Sequence, residues 1–176
     1  MKRDGRWIVS ERKEPWKGLL LSGPNDGAVW GRIADLEQAS ATVQQRYRHA
    51  VQSMMLVDDQ RRLRVRESDR TACRTVVAED IRGRLMVLLT FGAVTLADLA
   101  RWLTTQDLGI VRAMNLDGGI ESQLAIRTDE FEHAYYGQYG TETTVFEGAP
   151  GTIRFPLPAV IAVRPVTAAK SGPLVH

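Results

Sequence analysis

The stretch Arg112 to Ile126, R-A-M-N-L-D-G-G-I-E-S-Q-L-A-I, decides how the rest of the chain is read. Val111, Ala113, Met114 and Leu116 make a buried-strand pattern that carries Asn115 and Asp117 into the pair Gly118-Gly119. A second short apolar run, Gln123 to Ile126, follows. An amide and a carboxylate at a strand end, with two glycines directly behind them, suit a site. Glycine reaches φ > 0 without steric cost and lets a ligand approach the backbone. The competing reading is a tight hairpin, since Asp-Gly and Gly-Gly are favoured turns between apolar strands.

Upstream of this stretch, Thr95-x-x-Asp98 is a capping-box pattern, with Leu96, Leu99, Ala100 and Leu103 at helical spacing behind it and Gly109 past the end. A strand at Leu85 to Leu89, this helix and the 111–117 strand predict a crossover unit. Its second strand delivers Asp117 at the C-terminal edge, where ligands collect in such sheets. L-M-V-L-L at 85–89 is apolar throughout and predicts a strand covered on both faces. It pairs in a hairpin with Thr75 to Ala78. Met54 to Val57 and Leu63 to Val65 flank a second hairpin signal around Asp58-Asp59-Gln60-Arg61-Arg62.

Further out, Ile33, Leu36, Val43, Tyr47 and Val51 recur at steps of three, four and seven and predict a helix of about five turns over residues 33–51. Gly18 to Leu21 reads as a short strand ending in the turn signal Ser22 to Gly27. Trp7, Ile8 and Val9 fit either an edge strand or a frayed arm. Phe131 to Gly151, rich in Tyr, Gly and Thr, predicts a long surface loop in which Tyr135, Tyr136 and Tyr139 stack on a sugar ring or on one another. Val160 to Val163, entered through Pro156 and Pro158, predicts a last strand, and the tail 166–176 is expected to be disordered. The division is an arm and first strand over 1–32 and a main domain over 33–165. The fold class is α+β, one domain, a mixed sheet with helices packed on it.

Composition narrows the function classes. The apolar fraction of 44% and the charged fraction of 25% are those of a globular protein. A net charge of +2 with scattered arginines gives no case for nucleic acid. No apolar run is long enough to span a membrane, and the basic start, M-K-R-D-G-R-W, has no apolar segment of a signal peptide behind it. These features leave the compartment open. The single cysteine, Cys73, reads as a buried thiol. No cysteine–histidine array, phosphate-binding glycine loop or G-x-S-x-G elbow is written in the chain.

Four segments in order carry a resemblance: A-V-Q-S-M-M-L-V-D-D (50–59), R-T-V-V-A-E-D-I-R-G-R-L (74–85), T-L-A-D-L-A-R-W-L (95–103) and A-M-N-L-D-G-G (113–119). Together they resemble the phosphodiester glycosidase family, bacterial relatives included, over roughly residues 50–128, with a weaker match at Arg154 to Val163. The resemblance implies an α+β fold and hydrolysis of the bond between an anomeric carbon and a phosphate oxygen in a sugar-1-phosphodiester. A cell-envelope or exopolysaccharide glycan is the expected substrate. It implies Asp117 as base or nucleophile and Asn115 as the amide that orients it or holds a sugar hydroxyl. Arg74 is expected on phosphate, with Thr75, the Gly118 and Gly119 amides and Ser122 as further contacts. Where the family continues with a third small residue and serines, this chain has Ile120-Glu121-Ser122.

No cofactor is expected. Asp117 and the Asn115 carbonyl offer hard oxygen ligands for a divalent cation, but two are too few to assign a metal site. The expected partner is a sugar-phosphate or glycan, and the oligomeric state is not written in the sequence. Two other functions compete: a non-catalytic glycan- or sugar-phosphate-binding domain of the same family, and an assembly module using the 33–51 helix as a partner surface.

Overall fold

The structure, a computed structural model, describes residues 1–8, 13–26, 31–39, 41–137 and 156–164. In chain order the elements are β1 (Lys2–Arg3), β2 (Arg6–Trp7), β3 (Gly18–Pro24), β4 (Gly31–Asp35), α1 (Ala41–Gln45), β5 (Tyr47–Val57), β6 (Arg74–Asp80) and β7 (Leu85–Leu89). After these come α2 (Leu96–Thr105), β8 (Ile110–Gly118), one 3-10 turn at Gly119–Glu121, β9 (Gln123–Arg127) and β10 (Glu132–Tyr136). All pairings are antiparallel. The expected mixed sheet is therefore an antiparallel one, because the chain joins neighbouring strands mainly through hairpins, and the one-domain α+β class holds only in a strand-rich form.

The long strand β5 ties the molecule together. Its first half pairs with β3 and β1, and Met54, Met55 and Val57 pair with β8. The β3–β4 hairpin thereby lies over the β6–β8 ladder, and Leu20, Ile33, Met55, Val77 and Met114 fill the space between them. Glu79 of β6 reinforces the contact by accepting from the Ile33 amide at 2.8 Å. On the far side of β3 and β4, Leu19, Leu21, Ala34, Tyr47 and Ala50 pack under Val43 of α1. On the far side of β6 and β8, Leu99, Ala100 and Leu103 of α2 pack on Leu56, Val76, Ala78 and Ala113.

The 95–103 helix forms as expected: Thr95 Oγ1 accepts from the Asp98 amide at 3.0 Å and donates to Asp98 Oδ2 at 2.7 Å. The crossover also holds, because β7 and β8 both run antiparallel to β6 and hence parallel to each other. Both hairpin turns carry one device. Asp58 Oδ1 accepts from the amides of Gln60 and Arg62 while its other oxygen takes the Arg62 Nε. Asp80 does the same with Arg82 and Arg84. Arg64 then joins the first turn to β4 through Asp35 Oδ2 at 2.7 Å.

Four further expectations are overturned. The 33–51 helix is replaced by β4, the single short turn pair of α1 and the start of β5. Leu20 pairs with Ile33 on one side and Val51 on the other, and that long-range pairing outweighs five apolar residues at helical spacing. Asp35 closes β4 by accepting from the Glu37 amide. β7 is covered on one face only: Met86 and Leu88 face the α2 core while Leu85 and Val87 are exposed, as an edge strand allows. The first part of the 131–151 loop is instead β10, whose Tyr135 is buried against Phe91, while Tyr139 lies outside the described residues. Val160 to Val163 forms no strand, and Val160 and Val163 are exposed. At the N-terminus, Arg6–Trp7 pairs with β1, whereas Val9 and the 166–176 tail lie outside the described residues.

Candidate active site

The site is built on the end of β8. Arg74 pairs with Gly118 and Val76 with Asn115, so two residues of β8, Leu116 and Asp117, stand against the single residue Thr75. Such a bulge bends its strand and re-aims a side chain, and bulges concentrate beside active sites. Here the strand's buried run, Ala113 to Asn115, gives way to an exposed Asp117. Its Oδ1 accepts from the Gly118 amide at 2.8 Å, which fixes the carboxylate at the strand end. Gly119 then takes φ +70°, a left-handed conformation that opens the 3-10 turn. β8 and β9 do not pair, so the Asp-Gly-Gly segment is not the tight hairpin that its composition also allows.

Asp117 opens onto a cavity of about 470 Å³ lined with Ile120, Glu121 and the segment Pro156, Leu157, Pro158 and Ala159. That is within the size range of small-molecule sites, roughly 300–1,000 Å³. One wall is apolar. Among the described residues the ionisable groups on the lining are the two carboxylates, and Glu121 makes neither an ion pair nor a hydrogen bond with those residues.

The other expected residues fall around this cavity rather than in it. Arg74 is half-buried, its Nε donating to the Val94 carbonyl at 3.1 Å and its Nη2 to the Arg70 carbonyl at 2.9 Å. Burial pulls its pKa down, against the nearby Cys73, and no carboxylate pairs with it among the described residues. Its Nη1 lies beside Gly118, one residue from Asp117, yet Arg74 is not part of the cavity lining. The two glycine amides are engaged within the chain: Gly118 donates to Asp117, and Gly119 donates to the Cys73 carbonyl at 2.8 Å.

Asn115 is buried in the ladder between Met54 and Val76. Thr75 is buried opposite the bulge, and Ser122 is buried completely behind the 3-10 turn. Thr75 Oγ1, Asn115 Oδ1 and Ser122 Oγ each lack a hydrogen-bond partner among the described residues. A buried polar atom left unsatisfied costs about 1–3 kcal/mol; two of these flank the bulge and the third lies behind the turn that follows it. A segment selected for packing alone would not concentrate that cost.

The turn is braced from behind. Gly137 donates to the Ser122 carbonyl at 2.7 Å, and a Cβ at Gly137 would run into the Gly119 carbonyl. Tyr135 donates to the Thr90 carbonyl at 3.1 Å and sits 3.9 Å from the Cys73 sulfur, so β10 is bolted to the β6 end that carries Arg74. Cys73 is a buried thiol, as expected.

Sequence reasoning left the lining residues Glu121 and Pro156 to Ala159 without a role. Glu121 stands four residues after Asp117 across a turn, and nothing local in the sequence shows that the turn returns it to the same cavity. Among the described residues no group of three or more His, Cys, Asp or Glu gathers to hold a metal. No helix among them is long and apolar enough to cross a membrane.

A model of the family described as phosphodiester glycosidase matches residues 1–164. No curated protein and no solved structure matches the chain.

Proposed function

The chain belongs to the phosphodiester glycosidase family, and on that premise we propose that it hydrolyses a sugar-1-phosphodiester within a glycan, with an envelope or exopolysaccharide glycan as the natural source. The observation that carries this reading is Asp117, an exposed carboxylate turned out by a bulge into a cavity of about 470 Å³. In the proposed mode the sugar ring lies in the cavity against Pro156, Leu157 and Pro158, with its anomeric carbon at Asp117. Asp117 acts there as base toward water or as nucleophile. The bond that breaks joins the anomeric carbon to a phosphate oxygen, and the leaving phosphomonoester is a weak base, with a second pKa of about 6. Departure therefore needs less help from a strong acid than an ordinary glycoside does.

Arg74 is assigned to the phosphate, beside Gly118 and just outside the cavity. Its support is a partly desolvated guanidinium with no carboxylate partner among the described residues, and a planar fork suited to oxyanions. Asn115 and Thr75 are positioning residues beneath the bulge. The test is Asp117→Asn. Sugar release from a synthetic sugar-phosphodiester should fall by at least about a thousandfold, in line with loss of a nucleophile or base, while thermal unfolding stays near that of the parent. Unchanged turnover would remove Asp117 from the mechanism.

One observation favours a second reading, a non-catalytic glycan-binding domain. Among the described residues the cavity lining holds no cation, and both glycine amides are engaged within the chain. Saturable sugar-phosphate binding without turnover would decide for it.

A further inference from the structure

The outer edge of the main sheet is a run of five apolar residues, Leu85-Met86-Val87-Leu88-Leu89, and none of them is buried. Among the described residues β7 pairs with β6 alone. That ladder is regular along its whole length, so no bulge turns the edge away. The strand carries neither a proline nor a charged side chain, the other common protections of an edge. The two ends of the ladder show which backbone groups are open. The Asp80 amide donates to the Arg84 carbonyl and the Thr90 amide to the Arg74 carbonyl, each at 3.0 Å. Hydrogen bonding alternates along an antiparallel pair, so Arg84, Met86, Leu88 and Thr90 turn their backbone groups to β6. Leu85, Val87 and Leu89 turn theirs outward, where no described residue takes them up.

We propose that β7 is a self-association edge, to which a second copy of the chain adds its own β7 antiparallel about a two-fold axis through Val87. This register sets outward groups against outward groups at every position. Val87 faces Val87 of the second copy, and Leu85 faces Leu89 of the second copy. Each outward amide then donates across the axis and each outward carbonyl accepts. Moving the axis to Met86 or Leu88 leaves an outward residue of each copy opposite a residue beyond the strand. Charge also suits an identical strand. Neither β7 brings an ionised side chain to the pair, and at its ends Arg84 falls opposite Thr90 of the second copy. A charged partner strand would instead desolvate its charge against an apolar edge that offers no counter-charge. Five residues a side fall well short of the roughly 20–30 of a standard interface. The dimer is therefore a weak one, with a Kd of about 1–100 µM.

Sedimentation velocity on the full chain from about 1 to 300 µM brackets that Kd. The parent should pass from monomer to dimer across the range. Val87 is 46% exposed, so Val87→Lys and Val87→Glu should keep the parent's thermal unfolding. Either variant alone sets like charges against each other at the axis and should weaken the dimer at least about tenfold. Mixed in equal amounts, the two variants bring an ammonium opposite a carboxylate and should recover most of that loss. Hydrogen exchange on the parent needs no variant: the Leu85, Val87 and Leu89 amides should exchange more slowly at the high concentration than at the low one. A parent that stays monomeric, a dimer that survives Val87→Lys, a mixture no tighter than either variant alone, or exchange at these amides that ignores concentration would each overturn the proposal.

Discussion

Arg74 and Gly118 stand opposite each other across the β6–β8 ladder, and a Cβ built on Gly118 would lie 3.2 Å from Arg74 Nη1 and 3.0 Å from the Cys73 carbonyl oxygen. Gly118 is in extended backbone, so the requirement here is space rather than an unusual φ. Gly118→Ala must therefore shift either the backbone at Cys73 or the guanidinium. We expect a stability loss of about 1–3 kcal/mol by denaturant unfolding, the usual scale of overpacking, together with a rise in KM for a sugar-phosphodiester. A variant with unchanged stability and KM would show that the contact is not tight.

Arg74→Lys keeps the charge and removes the fork that reaches the Val94 and Arg70 carbonyls. If the guanidinium also binds phosphate, KM for a charged phosphodiester should rise about tenfold or more while kcat changes less, since one charged hydrogen bond is worth about 1.5–3 kcal/mol. Stability should fall as well. A fall in stability with KM and kcat both unchanged would restrict Arg74 to bracing the 90–94 loop.

Acid should unfold the protein through its two hairpin turns. At Asp58, burial pushes the carboxyl up, but hydrogen bonds from Arg62, Gln60 and Arg64 more than reverse this and hold it below the usual aspartate range. At Asp80 the Arg84 amide leads in holding the carboxyl low, against burial and with help from the Arg84 side chain and the Arg82 amide. A carboxyl whose pKa is depressed by folding stabilises the protein above its unfolded value of about 3.9 and loses that contribution as pH falls. Stability measured against pH should drop below about pH 4, and Asp80→Asn should make that drop shallower. An equally steep drop in the variant would place the acid sensitivity elsewhere.

Tyr135 sets the alkaline limit. Burial raises its pKa to about 12, with the neighbouring Cys73 adding to the effect. The unfolded side chain ionises near 10, so its contribution to stability is present below about pH 10 and is lost as pH rises toward 12. In a tyrosinate absorbance titration one of the four tyrosines should ionise late, and Tyr135→Phe should remove that late phase. The variant also loses the hydrogen bond to the Thr90 carbonyl, so the β9–β10 hairpin should exchange amide hydrogens faster.

What could be read along the chain was whatever local chemistry dictates. Thr95 and Asp98 cap a helix wherever it packs, and Asp80 closes its turn with the residues two and four places on. Asn115 to Gly119 mark a strand end by side-chain type alone. Residues 33–51 misled for the opposite reason. Their apolar spacing fits a helix in isolation, and only the presence of β3 between Ile33 and Val51 turns both flanks into strands.

By itself, then, the sequence determined the family, the capped helix, the β6–β7 hairpin and the identity of Asp117 as the carboxylate at the end of β8. Tertiary structure decided where that carboxylate faces, because the bulge against Thr75 exists only once β6 and β8 are in register. It also decided that Glu121 and the Pro156–Ala159 segment share its cavity while Arg74 stands just outside. Distances between residues far apart in the chain are fixed by strand pairing and core packing, and neither is encoded in any one stretch.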